Sequence, residues 1–159
     1  ELFQYIGNDD KPRDITSTDV NEYLREITQS DFTAKDFRTW GGTILAAMAL
    51  KEFKHWETKK QAKKNLIRAI EAVAQRLGNT PAICKKCYIH PEIMNSYLDG
   101  TMIETFSKRA EQLRAVTGLS AEENTVLAFL EKRLARERKN QRGNLLEKLE
   151  ASVKHRKRK

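Results

Sequence analysis

Apolar residues recur along most of this chain at spacings of three and four, the period of an α-helix with one buried face. Val20, Tyr23, Leu24 and Ile27 fall on one such face and predict a helix from Thr16 or Ser17 to Ile27. Thr33, with Asp36 three residues on, is a capping box that opens a second helix. Its buried face reads as Phe37, Trp40, Ile44, Leu45, Met48 and Leu50. Leu66, Ile67, Ile70, Val73, Ala74 and Leu77 stripe a third, from Lys59 to Leu77, between a Thr58 cap and a Gly78 stop. Short helices are expected from Thr80 to Tyr88, with Pro81 in the first turn, and from Pro91 to Leu98 before Gly100. Another spans Met102 to Val116 and stops at Thr117-Gly118. The last starts at Ser120, where Glu123 completes a second capping box, and carries Val126, Leu127, Leu130 and Leu134. Beyond Arg138 the apolar signal thins to Leu145, Leu146, Leu149 and Val153, as in a helix that docks weakly or orders on a partner. Only the start differs. Leu2 to Ile6 is apolar and aromatic, a short strand or extended lead-in, and Gly7 to Pro12 has the composition of a turn. The fold class is mainly α, with at most one short strand at the N-terminus.

Composition supports this reading. The chain has 159 residues, 39% hydrophobic and 33% charged, which suits one globular domain with a real core rather than a disordered segment. The longest apolar run, Gly41 to Leu50, falls well short of the roughly 20 residues of a membrane span. Glu1 opens the chain without Met or a basic leader, as in an excised piece of something longer. The net charge of +8 is unevenly placed. Residues 131–159 hold 12 Lys/Arg against 4 Asp/Glu, whereas residues 1–130 hold 18 of each. The expected organisation is a helical domain over 1–138 and a basic tail or helix extension over 139–159. A localised basic segment is an electrostatic footprint for nucleic acid or an anionic surface. It is also what a solvated helix with a frayed end looks like. Lys59, Lys60, Lys63 and Lys64 crowd the start of the third helix, where cations oppose the helix dipole. An anionic partner accounts for them, and so does a solvated face.

The candidate chemistry centres on one tyrosine. Tyr88 follows Lys85 and Lys86 closely and stands nine residues after Asn79, across a Gly78-Asn79-Thr80-Pro81 turn. Phosphodiester transfer needs an oxygen nucleophile in line with the leaving oxygen, and donors on the other phosphate oxygens. Tyrosine is such a nucleophile, and a phosphotyrosine keeps the bond energy for rejoining. Arg38 is a permanently charged planar donor able to clamp two phosphate oxygens. Asn79 is a neutral donor placed where a helix begins, and Lys35, Lys85 and Lys86 are candidates for flanking phosphates. Gly41-Gly42 inside the second helix costs about 1 kcal/mol per glycine relative to alanine, which suggests that another backbone passes close by. Cys84 and Cys87 form one Cys-x-x-Cys. It reads as a redox pair, as half of a zinc site with His90 and His55, or as two small residues on a short helix; the last is the plainest. His55 and His90 otherwise read as surface or capping histidines. Tyr23 and Tyr97, among apolar neighbours at helical spacing, read as half-buried packing residues.

Lys35-Asp36-Phe37-Arg38-Thr39-Trp40 and Gly78-Asn79-Thr80-Pro81, with Tyr88 nine residues beyond Asn79, resemble the active-site region of type IB DNA topoisomerases, especially the compact poxvirus-like and bacterial ones. The resemblance covers roughly residues 1–100. It implies the C-terminal part of a helical catalytic domain of the topoisomerase IB/tyrosine recombinase type, incomplete at its N-terminus. It implies Tyr88 as nucleophile, with Arg38 and Asn79 on the scissile phosphate, and double-stranded DNA as partner of a monomer. Neither cofactor nor metal is implied, and the location would be cytoplasmic, nucleoid-associated in a bacterium. Poxvirus-like members commonly carry His where this chain has Asn79, which donates a hydrogen bond but carries no charge. The family's further arginine and its hairpin lysine, the proton donor to the leaving 5′ oxygen, belong upstream of the part that Glu1 to Ile6 resembles and have no match here. Residues 1–159 alone are therefore expected to cleave DNA poorly or not at all.

Two other readings compete. Tyrosine recombinases share the fold and nucleophile but usually carry His-x-x-Arg where this chain has Lys35-Asp36-Phe37-Arg38. A non-enzymatic, DNA-binding helical module would account for the basic C-terminus alone, with binding that falls steeply with salt.

Overall fold

The computed structural model describes residues 3–53, 55–109 and 116–156, with side chains described for 3–53, 55–106 and 116–142. Two short strands open it, β1 (Gln4–Ile6) and β2 (Pro12–Asp14), paired antiparallel with Tyr5 opposite Arg13. The first fits the expected N-terminal strand. The second begins at Pro12, the end of the expected turn, and was not expected, because Pro-Arg-Asp carries no strand propensity. Proline is tolerated there because it is the first residue of an edge strand. The turn between them is held by Gly7 N–H to Lys11 O (2.9 Å) and Asp10 N–H to Gly7 O (3.0 Å).

Helices make up the rest: α1 (Ser17–Thr28), α2 (Ala34–Glu52), α3 (Lys59–Leu77), α4 (Pro81–Ile83), α5 (Pro91–Leu98), α6 (Thr101–Arg109) and α7 (Ala121–Arg156). Between α4 and α5 the backbone widens into a π-helical turn, Cys84–Tyr88. The expected helix over Met102–Val116 is seen as α6, and residues 110–115 lie outside those described. α7 runs unbroken past residue 138; the side chains of Leu145, Leu146, Leu149 and Val153 lie outside the described set. No helix among the described residues is long and apolar enough to cross a membrane.

Local signals set most boundaries. Thr16 with Asp19, Thr33 with Asp36, and Ser120 with Glu123 each form reciprocal capping boxes at the starts of α1, α2 and α7. α3 ends in a Schellman arrangement: Gly78 takes φ 65°, its N–H reaches Gln75 O, and Asn79 N–H reaches Ala74 O.

α2 lies at the centre, packed most extensively on α3 and also touching the π turn, α5, α7 and α1. Ala46, Ala47 and Leu50 meet Ala62, Leu66, Ala69, Ile70, Val73 and Ala74 of α3. The core continues through Ile93 and Tyr97 of α5, and Met102 and Ile103 of α6. Phe106 of α6 packs edge-on against Phe129 of α7, ring centroids 5.4 Å apart.

The buried face of α2 differs from the expected one. Its buried residues are Gly42, Thr43, Ala46, Ala47 and Leu50; Trp40, Ile44 and Met48 are half-buried, while Phe37 is 53% and Leu45 37% exposed. A helix hemmed in by several neighbours buries its smallest side chains where backbones approach closely, and the bulky ones flank the contact. In α3, Ile67 is likewise exposed, and Ala62, Asn65 and Ala69 fill the interface. α1 has its predicted apolar stripe but buries none of it: Val20, Tyr23 and Ile27 are exposed. Beside it, Thr28, Phe32, Phe37, Trp40, Leu119 and Leu127 line an apolar groove of about 660 Å³.

Candidate active site

The candidate residues come from three places and converge at one end of the α2–α3 pair. Arg38 lies one turn into α2. Its Nη2 donates to the carbonyl of Leu77, the last residue of α3, at 2.7 Å. Asn79 occupies the joint between α3 and α4, and its Nδ2 donates to the same oxygen at 3.0 Å. The Schellman end places it there: Gly78 turns the chain out of α3, and the Asn79 side chain folds back onto a carbonyl the helix cannot satisfy itself. The Arg38 guanidinium carbon stands 5.1 Å from the centroid of the Tyr88 ring. Such a stack contributes roughly 0.5–1 kcal/mol where partly exposed. Arg38, Asn79 and Tyr88 are all half-buried. Among the described residues no hydrogen bond engages the Tyr88 hydroxyl, which leaves its oxygen open to an incoming group.

Phe37, which the sequence places on the buried face of α2, does not hold Arg38: its ring is largely exposed and packs on Phe32 (6.3 Å). The contact with Leu77 and Tyr88 orients the guanidinium instead. Lys35, Lys85 and Lys86 are exposed. Lys35 is in the first turn of α2 and the other two are on the π turn just before Tyr88. Lys85 also shares a groove of about 410 Å³ with Lys63 of α3.

The backbone carrying Tyr88 runs against α2. A β-carbon added to Gly42 would stand 2.5 Å from the Tyr88 carbonyl oxygen, so only glycine fits without a shift. Gly41 has nothing within 4 Å of such an atom, so the close approach inferred from the pair belongs to Gly42 alone. Thr39 Oγ1 donates to Lys35 O (2.8 Å) and has Cys87 O as a longer contact (3.3 Å), while Thr43 Oγ1 approaches Tyr88 O (3.5 Å).

The other singled-out side chains have structural employment. Cys84 is a fully buried core residue. Burial pushes its thiol pKa up, against the pull of the Arg38 charge, which disfavours the reactive thiolate. Among the described residues, no three His, Cys, Asp or Glu side chains gather as a metal site would require. His90 caps α5, its Nδ1 accepting Glu92 N–H (3.1 Å), and His55 is exposed. Tyr97 is completely buried rather than half-buried, and its hydroxyl accepts from Asn65 Nδ2 (2.9 Å); Tyr23 lies in the open.

Two polar links escaped the sequence. Arg133 of α7 reaches Glu92 (2.9 Å) and Asp99 (3.3 Å), which raises its own pKa, chiefly through the Glu92 hydrogen bond. Trp40 Nε1 donates to Glu123 Oε1 (3.0 Å), joining α2 to the cap of α7. Their partners lie 41 and 83 positions apart, so no local spacing announces them.

Residues 1–116 match the profile of a family described as eukaryotic DNA topoisomerase I, catalytic core. The chain belongs to this family. Over 95 residues it is 36% identical to a protein named DNA topoisomerase 1B, from Acanthamoeba polyphaga mimivirus. That alignment covers 55% of this chain and 28% of the viral protein, so the chain spans well under a third of that relative's length. The topoisomerase I match takes in Arg38, Asn79 and Tyr88, and also α5 and α6; α7 lies beyond it.

Proposed function

We propose that this topoisomerase-family chain carries the nucleophile end of a type IB active site. In this reading it relaxes supercoiled duplex DNA by transient cleavage of one strand. The Tyr88 phenolic oxygen attacks the scissile phosphorus, and a Tyr88–phosphorus bond forms as the bond to the 5′ oxygen breaks. The phenol loses one proton and the 5′ oxygen gains one. The strand is left as a 3′-phosphotyrosine. Nothing is oxidised, and the bond energy stays in the ester, so rejoining is the same step in reverse and consumes no ATP. Arg38 and Asn79 would exchange the Leu77 carbonyl for oxygens of the phosphate, where their donors stabilise the charge that builds up in the transition state. Lys35, Lys85 and Lys86 would hold flanking phosphates.

The observation that carries this reading is convergence. Residues separated by up to 50 positions bring a guanidinium, an amide and a phenol to one end of the α2–α3 pair. The family's upstream arginine and its lysine proton donor have no counterpart in these 159 residues, so 1–159 alone should cleave slowly or not at all. Robust plasmid relaxation by 1–159 would contradict that. The deciding experiment mixes the full-length protein with a suicide duplex and runs a denaturing gel. A DNA-linked band is expected from the wild type and none from Tyr88→Phe. An undiminished band from Tyr88→Phe would remove Tyr88 from the chemistry, and no band from a folded wild type on varied duplexes would leave a DNA-binding module. Relaxation of a plasmid of arbitrary sequence then separates a topoisomerase from a recombinase that needs its own paired sites.

A further inference from the structure

We infer that Thr43 is a positioning residue for the nucleophile: its buried hydroxyl pins the backbone around Tyr88 to the helix that carries Arg38. The inference rests on the proposed role of Tyr88. Thr43 is 2% exposed and lies in the middle of α2, where a buried hydroxyl must find partners. It has them on both elements. Its oxygen accepts the His90 N–H at 3.1 Å, and its proton is directed at Thr39 O (2.7 Å), with Tyr88 O at 3.5 Å.

The π turn explains the need. A helix that ends at Tyr88 leaves its last carbonyls without partners inside the helix. Two of these, Cys87 O and Tyr88 O, face α2, which presents Thr39 and Thr43 one turn apart. The missing side chain of Gly42 lets that backbone settle between the two threonines. Just beyond Tyr88, the His90 amide is held by Thr43 while its imidazole caps α5. The backbone is thus tied just beyond the phenol by the His90–Thr43 bond, with Cys87 O and Tyr88 O in longer contact, to the helix that also holds Arg38. The reacting oxygen and the phosphate clamp share one rigid frame, and misplacement of about 1 Å in such a frame costs on the order of 100-fold in rate.

The test compares full-length wild type, Thr43→Val and Thr43→Ser. Valine keeps the shape and removes the hydroxyl; serine restores it. Three quantities are read: single-turnover adduct formation at saturating suicide duplex, DNA affinity, and amide hydrogen exchange over residues 87–90. Thr43→Val is expected to cleave about 10- to 100-fold more slowly, to bind DNA within about twofold of wild type, and to exchange faster at His90. Thr43→Ser should recover both rate and protection. Equal rates for Thr43→Val and wild type would overturn the inference while leaving Tyr88 as nucleophile. Equally slow Val and Ser variants would overturn it too, by assigning the effect to packing. A wild type that forms no adduct would overturn the functional reading and this inference together.

Discussion

The site is built from donors held on a substitute acceptor. Arg38 and Asn79 both spend a hydrogen bond on Leu77 O, an oxygen at the negative end of the α3 dipole. That contact keeps both side chains in place, and in the proposed reaction it gives way to a phosphate. The exchange favours an anion, because the Arg38 bond becomes an ion pair and the Asn79 bond becomes charge-assisted. Asn79 gains less than Arg38, since an amide has no charge to contribute. Asn79→Ala in the full-length protein should therefore lower single-turnover cleavage about 100-fold, as removal of one preorganised donor does, with DNA affinity little changed. Asn79→His should retain most of the rate and make it fall as pH rises past the imidazole pKa. A pH-independent Asn79→His rate would show that hydrogen bonding suffices at this position and charge adds nothing.

At the level of elements, what the sequence shows depends on how far apart the cooperating residues lie. α3 is readable to the residue because Thr58 caps it and Gly78 ends it, both local signals. α2 is readable in extent but not in orientation. Periodicity selects its largest apolar side chains, whereas contact with α3 and the π turn selects the smallest. Arg38, Asn79 and Tyr88 are legible as a set through two short motifs and a fixed spacing. Thr39 and Thr43 are not, because the backbone groups they meet around Tyr88 lie 45 or more positions away. The interhelical links carry predictions of their own. Glu92 and Arg133 are mostly buried, with side-chain exposures of 10% and 22%. Arg133→Met leaves the carboxylate without its main partner and should destabilise 1–159 by roughly 3 kcal/mol in urea unfolding. Adding Glu92→Gln should recover part of that loss; a strictly additive double variant would show that the pair is not coupled. Glu123 receives the Ser120 N–H, its largest influence, and the Trp40 indole N–H, and these hold its pKa below the ordinary glutamate value. A carboxylate with a depressed folded pKa contributes stability above its unfolded pKa, near 4.3, and loses it as pH falls through the lower, folded value. The Trp40 indole N–H resonance should therefore stay in place from neutral pH down to about 4.3 and move only below it. Movement centred well above that value would mean that Glu123 does not hold the indole.

Across the whole molecule, the described cations of the C-terminal fifth fall into paired and exposed ones. Arg133 is committed to Glu92 and Asp99, so it is not available to a phosphate. Farther along α7, Arg136, Arg138, Lys139 and Arg142 are exposed, and no ion pair engages them among the described residues. α7 has 36 residues, about 54 Å at the α-helical rise, and among the described side chains it packs on the core through Val126, Phe129 and Leu130 of its first half. The boundary expected after residue 138 lies within one continuous helix. We propose that this outer half is a basic arm that adds sequence-tolerant affinity for duplex DNA. Removing 139–159 from the full-length protein takes away eight Lys/Arg. The slope of log K against log salt should then become shallower by about 0.9 for each phosphate that the arm had neutralised. Single-turnover cleavage at saturating DNA should be unchanged, because Arg38, Asn79 and Tyr88 sit on α2, the α3–α4 joint and the π turn. An unchanged salt slope would show that the arm does not touch DNA, and slower cleavage at saturation would show that the outer half of α7 acts on the site rather than on the duplex.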